Sequence, residues 1–156
     1  MIILIGSQKG GCGKSTTAIN ICVNLAINKS DVVLVDADRQ CTSANWAMDR
    51  ANKPDLPKVH CIQKYENIRD TLIDLDKRYE YVVVDAAGRD SRELRTGMTA
   101  ANLLIIPFRP SQPDLDTLLL HDTLKVSSDF MVHGRHDVWQ EFDHFDFGAK
   151  PRPHGA

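Results

Sequence analysis

Short apolar runs recur along this chain, and stretches with helical spacing separate them. Ile2–Ile5, Val32–Val35, Tyr81–Val84 and Leu103–Ile106 are continuous apolar runs, and Val59–Ile62, after the Pro-rich segment 54–57, is a weaker one. Such runs do not alternate with polar residues, so both faces of each strand must be covered, as in a parallel sheet. Between them, residues 14–28 place Ala18, Cys22 and Leu25 on one helical face with Ile21 beside them. Residues 43–51 and 91–101 read as helices, and 66–79 set Ile68, Leu72, Leu75 and Tyr79 at helical spacing. Pro113 opens a Leu-rich helix that runs to about Val126. The expectation is an α/β fold: a mostly parallel sheet of five strands with helices on both faces. Ligands of such sheets bind at the carboxyl ends of the strands, and three strands deliver Gly6, Asp36 and Asp85 to that edge.

A chain of 156 residues suits one domain. With 42% hydrophobic and 26% charged residues it has ordinary globular composition. The net charge of −2 gives the whole molecule no strong pull toward nucleic acid or acidic membranes, so any such binding must come from a local patch. Cys12, Cys22, Cys41 and Cys61 show no C-x-x-C spacing and read as reduced thiols rather than a disulfide frame or zinc site. The run before Gly6 is too short for a signal peptide, and no stretch approaches the ~20 apolar residues of a membrane helix. A soluble, cytoplasmic protein is expected. The pattern changes after residue 126: residues 127–156 hold four of the six histidines, show no period of 2 or 3.6, and read as an irregular tail behind a domain of residues 1–126.

The strongest chemical signal is Lys9-Gly10-Gly11-Cys12-Gly13-Lys14-Ser15-Thr16, which follows a strand and opens a helix. That is the context of a phosphate-binding loop. Glycines let the backbone curl so that N–H groups meet phosphate oxygens, and the helix adds its positive end. Lys14 can reach the β- and γ-phosphates, and the Ser15 hydroxyl can ligate Mg2+, so the loop predicts binding of ATP with magnesium. Asp36 and Asp38, in Val35-Asp36-Ala37-Asp38-Arg39-Gln40, follow a strand, where carboxylates can hold magnesium waters or orient an attacking water. Asp85 ends Val82-Val83-Val84 in the manner of a Walker B carboxylate, with Gly88 as a hinge behind it. Arg89, Arg92 and Arg95 lie three apart and suit either a solvated helix face or a basic stripe touching DNA phosphates.

These segments carry a resemblance. The usual phosphate loop has glycine where Gln8 stands. Lys9-Gly10-Gly11-x-Gly13-Lys14-Ser15 is instead similar to the deviant loop of the ParA/MinD/nitrogenase-iron-protein class of P-loop NTPases. Asp36-Ala37-Asp38-Arg39-Gln40 resembles the D-x-D-P-Q segment of ParA-type partition ATPases, with Arg39 in place of proline, and Ile105–Ser111 resembles their nucleotide-side strand and loop. The likeness covers residues 1 to about 126. No cysteine follows Cys61 to hold an iron–sulfur cluster, and no C-terminal amphipathic membrane helix of the MinD kind is evident, so no membrane partner is expected. The resemblance implies that Lys9 reaches the phosphates across an ATP-sandwiched homodimer and that Asp38 positions the water. It implies that Ser15, Asp36 and Asp85 attend the metal, and that a centromere-binding protein and non-specific DNA are partners in segregating a plasmid or chromosome. Family members continue with further strand and helix, so the fold is expected to be short of its C-terminal elements. Two functional readings follow: an active partition ATPase, or a truncated nucleotide-binding remnant that does not hydrolyse.

Overall fold

Apolar runs become the interior strands of one sheet because both of their faces need cover. The computed structural model describes residues 1–7, 10–88, 90–108 and 129–134. In chain order they form β1 (Ile2–Ile5), α1 (Lys14–Ile27), β2 (Val32–Ala37), α2 (Thr42–Ala51) and β3 (His60–Gln63). Then come α3 (Arg69–Asp76), β4 (Tyr81–Ala86), α4 (Arg92–Met98), β5 (Leu103–Phe108) and β6 (Asp129–Gly134). The six strands lie in the order β3-β2-β4-β1-β5-β6, and every neighbouring pair is parallel.

Alternation along each strand sorts its side chains between two faces. Leu4, Val35, Val84 and Leu104 join Ile68 and Leu72 at and within α3, and Leu94 and Met98 of α4, in one buried cluster. Ile3, Ile5, Leu34, Val83 and Ile105 join Ala18, Ile21, Cys22 and Leu25 of α1 in the other, with Trp46 of α2 at its margin. The helical face read from the sequence of α1 is therefore the face that is buried.

The same alternation continues to the strand ends. Asp36 has the parity of Leu34, and Asp85 that of Val83, so both belong to the face covered by α1. Register sets Asp36 opposite Asp85, and Asp85 opposite Ile5. Two carboxylates thus stand side by side where β1 turns into the glycine loop and α1 begins. Gly6 makes the turn possible at close quarters, since a Cβ there would overlap the Leu94 side chain.

Two readings from the sequence need correction. The helix expected from residue 66 begins only at Arg69, because Glu66 takes a left-handed backbone (φ 67°) and the Asn67 side chain accepts from the Arg69 N–H at 3.2 Å. Residues 129–134, expected to be irregular, form β6, which pairs with β5 from Leu103↔Asp129 to Phe108↔Gly134. An edge strand is ordered by backbone bonds to one neighbour and needs no strong side-chain period. The edge that five strands would have left at β5 is thereby covered. The helix expected at 113–126 lies outside the described residues.

Leu72 is wholly buried, so Leu72→Ala is expected to lower the unfolding free energy by about 2–5 kcal/mol in urea titrations. Met48→Ala, at a side chain 63% exposed, is expected to change it by less than about 0.5 kcal/mol.

Candidate functional site

The loop between β1 and α1 has the backbone its glycines permit. Gly11 and Gly13 take φ of 72° and 94°, and Gly13 is the N-cap of α1. No acidic residue occupies the first turn of α1, so no carboxylate of that turn offsets the positive end of the helix. Lys14, the first residue of the helix, is buried, with Nζ 3.9 Å from Cys12 Sγ. Gly10–Thr16 form one side of an open cleft of about 970 Å3, near the upper end of the roughly 300–1,000 Å3 usual for small-molecule sites. The opposite walls are Ala37–Gln40 at the end of β2 and, beyond β4, Ala87, Gly88, Ser91 and Glu93. Lys9 lies outside the described residues.

The carboxylates at the strand ends are not equivalent. Asp85 is fully buried; its Oδ2 accepts from Ser43 Oγ at 2.6 Å, while Oδ1 has no hydrogen-bond donor among the described residues. Burial raises its pKa, the neighbouring charges of Asp36 and Asp38 raise it further, and the Ser43 and Ser15 hydroxyls oppose the rise. A buried carboxylate oxygen without a donor, near the Ser15 hydroxyl and beside a cleft that holds Lys14, fits a hard cation. Among the described residues no group of three His, Cys, Asp or Glu converges as a metal cage. That donor set suits Mg2+, which takes one or two protein oxygens and draws the rest from phosphate and water.

Asp36 is also fully buried, but both of its oxygens are engaged: Oδ1 accepts from the Asp38 N–H at 3.0 Å and Oδ2 from the Ala44 N–H at 2.8 Å. It caps α2 from a distance, because the N-cap residue Cys41 makes no side-chain capping bond. Burial raises its pKa, and those two N–H groups oppose the rise. Asp38 is half-buried on the cleft wall, where its Oδ1 accepts from the Gln40 N–H at 3.0 Å.

Three polar residues at the site were not singled out from the sequence. Ser43 holds Asp85. Glu93 lines the cleft and accepts from the Glu66 N–H at 2.9 Å. Glu66 binds Arg39 at 2.8 Å and Arg92 at 3.4 Å. Beside them Ser91 is an N-cap that accepts from the Leu94 N–H at 3.0 Å and so fixes the start of α4. The basic stripe is not a row of unpaired cations: Arg92 pairs with Glu66 and Arg95 with Asp90, while Arg89 lies outside the described residues. All four cysteines are free thiols. Burial pushes Cys22 far up, and pushes Cys61 up to about 12, so neither is a nucleophile at neutral pH.

Comparison with known proteins adds the lineage. The family described as "MipZ: ATPase MipZ" matches residues 1–133. Maintenance of carboxysome distribution protein A of Gloeobacter kilaueensis is 35% identical over 122 residues, covering 76% of this chain and 53% of the relative. Protein ParA of Rhizobium radiobacter is 29% identical over 113 residues, covering 72% and 50%. The chain thus spans about half the length of these curated relatives. Among solved structures, a plasmid partition protein of Borrelia burgdorferi bound to AMPPNP superposes with a TM-score of 0.68 at 19% identity, covering 94% of this chain and 80% of that one. That last likeness bears on the fold.

Asp36 and Asp85 both have raised folded-state pKa values, so the neutral carboxyls favour the fold. Their contribution is fully present below the ordinary value of 3.8 and is lost as pH rises through the raised values. Metal-free protein is expected to lose stability across that window, and Asp85→Asn to flatten the loss. At neutral pH, Asp85→Asn is expected to gain about 0.5–2 kcal/mol by removing a buried charge. Denaturant midpoints measured from pH 4 to 8 in EDTA check both.

Proposed function

This chain belongs to the MipZ family of ATPases, and we infer that it binds and hydrolyses Mg·ATP as a nucleotide-sandwich dimer that segregates a plasmid or chromosome. The observation that carries the reading is the buried, donorless Asp85 Oδ1 near the Ser15 hydroxyl, beside the glycine loop and Lys14. In this reading the backbone of Gly10–Thr16 and the end of α1 hold the phosphates, and Lys14 binds the β- and γ-phosphate oxygens. Ser15 and Asp85 would hold a magnesium ion, which when bound would neutralise charge building on the phosphates. Asp36, with its oxygens bonded to backbone, attends the metal only through water. Asp38 orients the attacking water from the cleft wall. Lys9 adds a second cation from the partner protomer, where charge spreads during phosphoryl transfer.

The relative named ParA and the AMPPNP-bound partition protein support this assignment of ligand and process. A centromere-binding protein is the proposed stimulator of hydrolysis, and non-specific DNA a further ligand. The pairing of Arg92 and Arg95 with carboxylates means that DNA phosphates would have to displace Glu66 and Asp90 to use that stripe. Among the described residues no helix is long and apolar enough to cross a membrane, and the proposed place of action is the cytoplasm, where ATP is available.

Calorimetry and a phosphate-release assay test the reading. Wild type is expected to bind Mg·ATP, to turn over slowly, and to elute as a dimer with ATP but not with ADP. Lys14→Ala is expected to abolish binding. Asp38→Ala is expected to keep binding and lose turnover by about 10²-fold or more. Binding without turnover in wild type would favour the non-hydrolysing remnant, and turnover unchanged in Lys14→Ala would refute the site.

A further inference from the structure

The two walls of the cleft come from chain segments that follow different strands. One, Ala37–Gln40, carries Asp38; the other contributes Ala87, Gly88, Ser91 and Glu93 and enters α4. Across the cleft the Arg39 charge of the first wall favours ionised Glu93 in the second. The turn between β3 and α3 reaches both. Its Glu66 carboxylate is divided between the walls: Oε1 takes Arg39 Nη2 at 2.8 Å, and Oε2 takes Arg92 Nη1 at 3.4 Å. The Glu66 N–H donates to Glu93 Oε1 at 2.9 Å. The preceding residue, Tyr65, lies under the Arg39 guanidinium at 5.2 Å, with its hydroxyl 3.3 Å from Cys41 Sγ.

Backbone conformation marks the same place. Among the described residues three non-glycines have positive φ: Lys29, Cys41 and Glu66. Two of the three belong to this contact. A left-handed conformation at such residues persists only where surrounding bonds hold it, and such positions gather at switches and sites.

We propose that Glu66 is a positioning residue for the cleft, a shared carboxylate that ties the Asp38 wall to the α4 wall and sets the spacing in which Asp38 meets the terminal phosphate. The inference rests on reading the cleft as a nucleotide site. It assigns Glu66 to the phosphate-transfer end and not to the glycine loop, so turnover and nucleotide affinity should respond differently. Arg39, Glu66 and Arg92 have side chains 69%, 58% and 66% exposed, so the tie is ionic, open to solvent and sensitive to salt.

The test compares Glu66→Gln, Arg39→Gln and the double variant with wild type. Without ligand, hydrogen exchange is expected to quicken in both 38–41 and 91–96 on Glu66→Gln. With nucleotide, kcat is expected to fall roughly three- to tenfold, while the dissociation constant for Mg·ADP stays as in wild type. High salt is expected to bring wild-type kcat toward that of Glu66→Gln, which itself changes little. The double variant is expected to fall no further than the worse single one, since each removes the same bridge. Faster exchange in only one wall, or in neither, overturns the proposal. So does a loss of ADP affinity equal to the loss in kcat, or full additivity of the two substitutions. If wild type shows no turnover, the hydrolytic reading fails on its own, and the exchange result in ligand-free protein still decides the tie.

Discussion

A carboxylate charge held at the end of a buried strand is the constraint on which this site depends. Asp85 sits wholly out of solvent next to Asp36, and burial opposes ionisation of both. Isolated charges in such a place are expensive, and each needs a partner. Asp36 finds two backbone N–H groups, at Asp38 and Ala44. Asp85 finds the Ser43 hydroxyl on Oδ2, and the Ser15 hydroxyl also favours its charged form. What remains is one carboxylate oxygen without a hydrogen-bond donor among the described residues, near the positive end of α1, an arrangement that stability alone does not favour and a cation would complete.

The surrounding fold follows from the need to build that place. Parallel pairing of β2, β4 and β1 brings Asp36, Asp85 and Ile5 into one row, and α1 covers the row because the same alternation that buries Leu34 and Val83 aims the two aspartates its way. Asp36 then anchors α2, so that Ser43 arrives over Asp85. The cleft walls lie further out, in more polar surroundings, and Glu66 spans them with bonds that solvent can loosen.

Much of this was legible from the chain. The glycine loop, the buried face of α1, the Val-rich run ending in Asp85 and the cysteines without pairing spacing each reflect a local rule: a period, a turn residue or a motif. Other features were not. The start of α3 was misplaced by the turn at Glu66 and Asn67, where a side chain competes with the helix for a backbone N–H. The strand β6 escaped notice because pairing with β5 orders it, and its own pattern does not announce that pairing. For Arg92 and Arg95 the sequence left a solvated helix face and a basic stripe both open, because spacing along a helix says nothing of the carboxylates that approach from elsewhere.

By itself the sequence determined the alternating strand and helix order, the glycine-rich turn ahead of α1 and the presence of acidic residues at strand ends, since these depend on the preferences of neighbouring residues. Only the tertiary structure decided that Asp36 spends its oxygens on backbone while Asp85 keeps one without a donor among the described residues, and that Glu66 stands between the two cleft walls. Those outcomes depend on register between strands and on contacts between segments far apart in the chain. No local spacing encodes which donor reaches which oxygen once water has been excluded.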